Sequence, residues 1–143
     1  MAVKASEIKA RSRRLTKGGW VSGLPQLPEI SVQVRSIRNP DASRMYAEAK
    51  ASVSEEEFKD PEFQKDLNLT IITETVILNW RGIADDSAEA DKDGEYPDLP
   101  YDPEIAKEML ADEDNDLLFA GILWAAENVA VLGQDNLERA AKN

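Results

Sequence analysis

Glu89, Asp91 and Asp93 alternate ahead of Gly94, and that spacing imitates the first half of a calcium-binding EF-hand loop. Such a loop closes with a bidentate glutamate at its twelfth position. Counted from Glu89, that position is Pro100, and Pro97 and Pro100 block the helix that should leave the loop. A solvated acidic loop is the better reading, so no metal and no cofactor are expected. Paired carboxylates of the glycosidase or aspartyl type are permitted by residue type, but the acids fall in loops and first helical turns, where capping and solubility explain them. The chain has no His and no Cys. This removes the commonest general base, the commonest zinc ligand, thiolate nucleophiles and disulfides, and makes a Ser-His-Asp triad impossible. With no glycine-rich phosphate loop either, the expectation is a protein that is not an enzyme.

The elements that would position these residues follow from composition and periodicity. At 143 residues with 42% hydrophobic content, one domain with a real core is expected. No run of eighteen apolar residues occurs and the N-terminus lacks a signal-peptide core, so a cytosolic chain with no membrane partner is the expectation. The net charge is -11, yet residues 1–17 carry Lys4, Lys9, Arg11, Arg13, Arg14 and Lys17 against Glu7 alone. A basic head on an acidic body argues against nucleic-acid binding by the body, and permits self-association of the head with the acidic surface of another copy. Residues 1–17 read as a basic flexible arm in preference to a stable helix, residues 18–132 as a single globular domain, and residues 133–143 as a C-terminal tail or frayed helix.

Within the domain, Ile30, Val32 and Val34 alternate with Ser31, Gln33 and Arg35, the pattern of a half-buried strand; Trp20-Val21 is its expected hairpin partner. Asn39-Pro40, Asp60-Pro61 and Asp102-Pro103 are three repeats of one helix-start signal, a side-chain cap followed by proline at the first helical position. Helices are expected over about 40–52, with a short turn after Ser54, over a short segment from 103, and over 116–131, where Leu118, Ile122, Ala125, Ala126 and Val129 form a stripe. The longest apolar stretch, Leu67 to Ile83, is ambiguous. Its Thr and Ile content suits a strand. Leu69, Ile72, Val76, Trp80 and Ile83 nevertheless make one helical face below the Asp60 cap, which favours a helix over 61–80, roughly 30 Å long at 1.5 Å per residue. The expected fold is mainly α with a small N-terminal β element (α+β), a compact bundle around that central helix. Trp80 and Trp124 are expected in the core. Trp20 is either core or a partner contact. Arg81 either pairs with the acids that follow it or anchors a partner.

An ordered set of segments also resembles a known family. Gly19-Trp20-Val21 is followed by a strand ending in Gln33 to Arg38. Next come a Tyr-containing helix and a long apolar run ending in Trp80-Arg81-Gly82-Ile83. The acidic Asp91-Lys92-Asp93-Gly94 loop follows, then Tyr101-Asp102-Pro103-Glu104, and finally a helix carrying Trp124-Ala125-Ala126. Taken together over about residues 18–130, this order is similar to that of the tail assembly chaperones of long-tailed bacteriophages and related phage-tail-like particles. The basic arm and the acidic insertion from Ser87 to Lys92 depart from the pattern. The resemblance implies a non-catalytic assembly factor in the host cell cytoplasm, absent from the mature virion. Such a factor binds the tape measure protein, keeps it soluble and recruits tail tube protein subunits. Trp20, Arg81, Tyr96 and Tyr101 are the candidate partner-binding residues on that reading. The alternatives are a minor tail or connector protein retained in the virion, and an acidic decoy that mimics nucleic acid.

Overall fold

The computed structural model describes residues 1–138. Among them are six α-helices and one three-stranded antiparallel sheet, so the chain is α+β. In chain order these are α1 (Ala5–Lys17), β1 (Gly19–Leu24), β2 (Leu27–Val34), α2 (Pro40–Ser52), α3 (Glu55–Phe58), α4 (Pro61–Ile71), β3 (Ile77–Arg81), α5 (Pro103–Ala111) and α6 (Asp116–Leu132). A π turn, Ile72–Val76, lies between α4 and β3, and a 3-10 turn, Glu113–Asn115, precedes α6.

The sheet has the order β1-β2-β3. Val21, Val32 and Trp80 are aligned across it and all three are buried. They belong to one core with Leu24, Ile30, Val34, Leu69, Val76 and Ile77, closed by Ala106 and Leu110 of α5 and by Leu118, Ile122, Ala125, Ala126 and Val129 of α6. The α6 stripe therefore faces the sheet as its periodicity requires. Glu113–Leu132 also has the length and mean hydropathy, 1.3, of a membrane span. A core helix passes the same test, and this one buries its stripe against β1 and β2. The alternate residues Ser22, Ser31, Gln33, Asn79 and Arg81 line the other face of the sheet, which is polar apart from the buried Trp20 opposite Gln33. A second apolar cluster, Ala42, Phe58, Leu67 and Ile71, joins α2, α3 and α4, with Met45, Ala49, Val53 and Phe63 at its margin.

The three cap-plus-proline signals work as their chemistry demands. Asn39 accepts from the Ala42 amide, Asp60 from Glu62, and Asp102 from Glu104 and Ile105. Ser54 likewise accepts from Glu57 and starts α3.

Two expectations are corrected. The single central helix over 61–80 does not form; the segment is α4, then the π turn, then β3. Every residue from Thr70 to Ile77 except Glu74 is β-branched, which disfavours helix and favours strand. Hydroxyl back-bonding adds to this: Thr70, Thr73 and Thr75 donate to the carbonyls of Asp66, Leu69 and Ile71, which loosens a helix from within. Leu69, Ile72, Val76, Trp80 and Ile83 still meet in one core, because the strand aims Trp80 at the same interior that a helix would have reached.

Residues 1–17, expected as a flexible arm, contain α1, which packs on α6. Its anchor is Arg14. That buried guanidinium donates to the Ala130 carbonyl at the C-terminal end of α6, 2.8 Å away, where a cation offsets the helix dipole. Glu7 pairs with both Arg11 and Arg14, and the Arg11 hydrogen bond is the first reason its carboxyl titrates below the usual range. Beyond α6, Gln134 exchanges two backbone hydrogen bonds with Trp20, tying the end of the domain to β1. Of the tail expected at 133–143, residues 139–143 lie outside the described residues.

Candidate partner-binding groove at the π turn

The break between α4 and β3 leaves backbone carbonyls without helical partners, and the fold satisfies them from three directions. The Tyr101 hydroxyl donates to the Thr73 carbonyl. Asn39 Nδ2 and Arg35 Nη1 both donate to the Thr75 carbonyl, each at 3.3 Å. The Arg35 amide donates to the Val76 carbonyl at 2.9 Å. Asn39 thus caps α2 with its Oδ1 and holds the π turn with its Nδ2, and it is buried while doing so. Arg35 also pairs with Asp41 at 2.8 Å, and this contact is the main reason the Asp41 carboxyl titrates below its ordinary range. The π turn is in this way bolted to the start of α2.

Those bolts leave a groove beside the turn, about 400 Å³ in volume. Ile71, Ile72 and Val76 form its floor, with Ala42. Ile37 and Tyr46 stand at its rim, 40% and 42% exposed respectively, and Arg38 supplies a cation beside them. Tyr46 is held by an edge-on contact with Phe58, ring centroids 5.3 Å apart. π turns are uncommon and recur at functional sites. Here the turn leaves Ile72 partly buried, packed against the main core and lining the groove.

The residues picked out from sequence are scattered rather than gathered. Trp20 is buried, its backbone clasped by Gln134. Tyr101 is half-buried, edge-on to Trp80 with ring centroids 4.9 Å apart. Burial is the first reason its phenol is held above the ordinary value, followed by the nearby charges of Asp102 and Glu74. Trp80 is 1% exposed, and its indole Nε1 donates to the Leu99 carbonyl at 2.8 Å. Arg81 is exposed, and among the described residues it makes no ion pair with the acids that follow it. Instead its Nη1 donates to the Trp80 carbonyl, while Asn79 Oδ1 accepts from the Trp80 amide. Both backbone groups of Trp80, on the open-edge strand β3, are thereby taken by neighbouring side chains. Tyr96 is exposed.

Tyr96 belongs to a hairpin-like arm. Its stem is stitched by Leu99 to Ile83, by the Ala84–Asp98 bridge and by Asp85 to Pro97. At its tip the Asp91 carboxylate accepts from the Asp93 and Glu95 amides at 2.8 and 2.9 Å, so the calcium-like sequence is spent on closing its own turn. Among the described residues no cluster of three His, Cys, Asp or Glu side chains is arranged to hold a metal.

A family model for YdaY prophage proteins matches residues 29–143. The chain belongs to the YdaY prophage protein family. It is therefore phage-derived. The matched region begins within β2 and takes in α2, the π turn, β3, the acidic arm, α5 and α6, so the whole groove lies inside it. Neither the curated proteins nor the solved structures give a match.

Sequence reasoning missed the groove itself. Tyr46 shows in the sequence only as the tyrosine of the helix over 40–52, Ile37 falls out of phase with the Ile30, Val32 and Val34 alternation, and Ile72 reads as one of the apolar residues of the expected helical face.

Proposed function

We propose that this YdaY prophage protein is a non-catalytic tail assembly chaperone. It binds the tape measure protein of its own phage, keeps that long helical chain soluble and recruits tail tube subunits to it. It acts in the host cytoplasm and is absent from the finished particle. The observation that carries the reading is an apolar groove with exposed Ile37 and Tyr46 at its rim, in a phage-derived chain of net charge -11. A groove of this kind suits one or two side chains of an amphipathic client helix laid across it. The surrounding negative charge resists self-aggregation while the client is held. The segment order from Gly19-Trp20-Val21 to Trp124-Ala125-Ala126 supports the same reading.

The test is co-expression with the tape measure protein encoded by the same prophage. The soluble fraction of the tape measure protein should rise with the wild-type chain. It should fall back with Ile37→Asp, whose side chain stands at the rim, while the melting temperature of the variant stays near wild type. No gain in solubility with both proteins well expressed, or a stoichiometric band of this chain in purified particles, defeats the reading.

A further inference from the structure

The sheet has two ends of opposite character. Gly19, Val34 and Ile77 form the row at one end, and α1 joins there through Gly18. Ser22, Ser31 and Arg81 form the row at the other, and the acidic arm leaves there through Gly82. From Ala84 to Asp98 the arm carries Asp85, Asp86, Glu89, Asp91, Asp93, Glu95 and Asp98 against Lys92 alone.

The helix α1 is packed inside out. Its charged Arg14 is turned inward against α6, while Ile8 and Leu15 are 57% and 38% exposed. Seven residues apart, these two share a face. Lys9 and Arg13 are exposed as well, and among the described residues neither makes an ion pair. A cationic surface with two aliphatic side chains on α1 thus matches an anionic surface with an exposed aromatic, Tyr96, on the arm.

We propose that the outer face of α1 docks on the acidic arm of a second copy of this chain. Pairing α1 with α1 would set cations against cations, and pairing arm with arm would set anions against anions; only pairing α1 with the arm is complementary. An anionic lipid surface would attract α1 but repel the acidic excess of the rest of the chain. The contact joins two different patches, so association either closes as a reciprocal two-fold dimer, α1 on arm in both directions, or continues into rows or rings. The inference does not depend on what the groove binds.

Sedimentation velocity of the full chain tests it, over a wide concentration range in salt from about 20 mM to about 500 mM, where screening lengths become very short. The expected result is a mean mass that rises with concentration in low salt, with affinity at least about tenfold weaker in high salt. Lys9→Glu with Arg13→Glu should abolish the rise, as should Glu89→Lys with Asp93→Lys. The chain carrying all four reversals should regain it. Circular dichroism establishes that each variant is folded. A wild-type monomer at every concentration in low salt overturns the proposal, as does association that survives both pairs of reversals or a four-fold variant that fails to recover. Binding of monomers to phosphatidylserine vesicles, lost with Lys9→Glu and Arg13→Glu and without self-association, would reassign α1 to membranes and overturn it equally.

Discussion

Replacing Trp80 with alanine should remove the central support of the domain. The ring is 1% exposed, lies edge-on to Tyr101, is aligned with Val21 and Val32 across the sheet, and donates from Nε1 to the Leu99 carbonyl at the foot of the acidic arm. Truncating a buried tryptophan costs about 3–5 kcal/mol through lost transfer energy and the cavity left behind. The Leu99 carbonyl loses its donor too, which adds about 1 kcal/mol if water does not reach it. Against a domain stability of about 5–15 kcal/mol, this is a third or more of the total. For a chain of this size the melting temperature should fall by roughly 8–24 °C, at about 2–4 °C per kcal/mol. Urea unfolding followed by far-ultraviolet circular dichroism measures the loss. Trp80→Phe keeps most of the packing while deleting the indole donor and three ring atoms; it should recover more than half of the deficit. An alanine variant within about 1 kcal/mol of wild type would refute the reasoning, because no buried ring of this size is removed so cheaply.

Gly82 is the turn between β3 and the arm, at φ 94°, and a Cβ there would stand 2.1 Å from the Glu29 carbonyl oxygen. Gly82→Ala should cost more than the roughly 1–3 kcal/mol of backbone strain alone, whereas Gly94→Ala, at φ 80° with nothing within 4 Å, should cost only the strain; equal losses in urea unfolding would disprove the clash. Asn39→Ala removes both the cap of α2 and a donor to the Thr75 carbonyl, so a loss of about 1–2 kcal/mol is expected, and Asn39→Asp, which keeps the cap but sets a buried carboxylate oxygen against the Ser36 and Thr75 carbonyls, should lose at least as much in urea unfolding. Tyr101 ionises less readily in the folded chain than at its ordinary value of 10.0, so its contribution is present below that pH and is lost as pH rises past it. The stability difference between wild type and Tyr101→Phe should therefore shrink above pH 10, and a difference that grows there contradicts the assignment.

The local chemistry of this chain was open to reading, and its breaks were not. Asn39, Ser54, Asp60 and Asp102 announced helix starts because a cap acts within three residues and needs nothing from the rest of the fold. The alternation of Ile30, Val32 and Val34 and the stripe on α6 were equally plain. The segment from Thr70 to Arg81 misled because its apolar spacing fits a helix while its β-branching fits a strand, and the outcome is one after the other. What decides it is tertiary: Arg35, Asn39 and Tyr101, distant in sequence, accept the burden of the carbonyls that the break exposes. The groove follows from that break and was hidden with it. The helix α1 was missed because its anchor, one arginine on the end of a helix more than a hundred residues away, leaves no periodic trace.

The way Asn79 and Arg81 occupy the backbone of Trp80 has a consequence for crowded conditions. An edge strand with free amides and carbonyls is a template for sheet growth, and a neighbouring chain that is unfolded or sticky will add to it. On β3 that template is already filled at Trp80, by side chains that an incoming strand would have to displace one after another. At that point the edge offers neither a free amide nor a free carbonyl on which a neighbour's strand could start to pair.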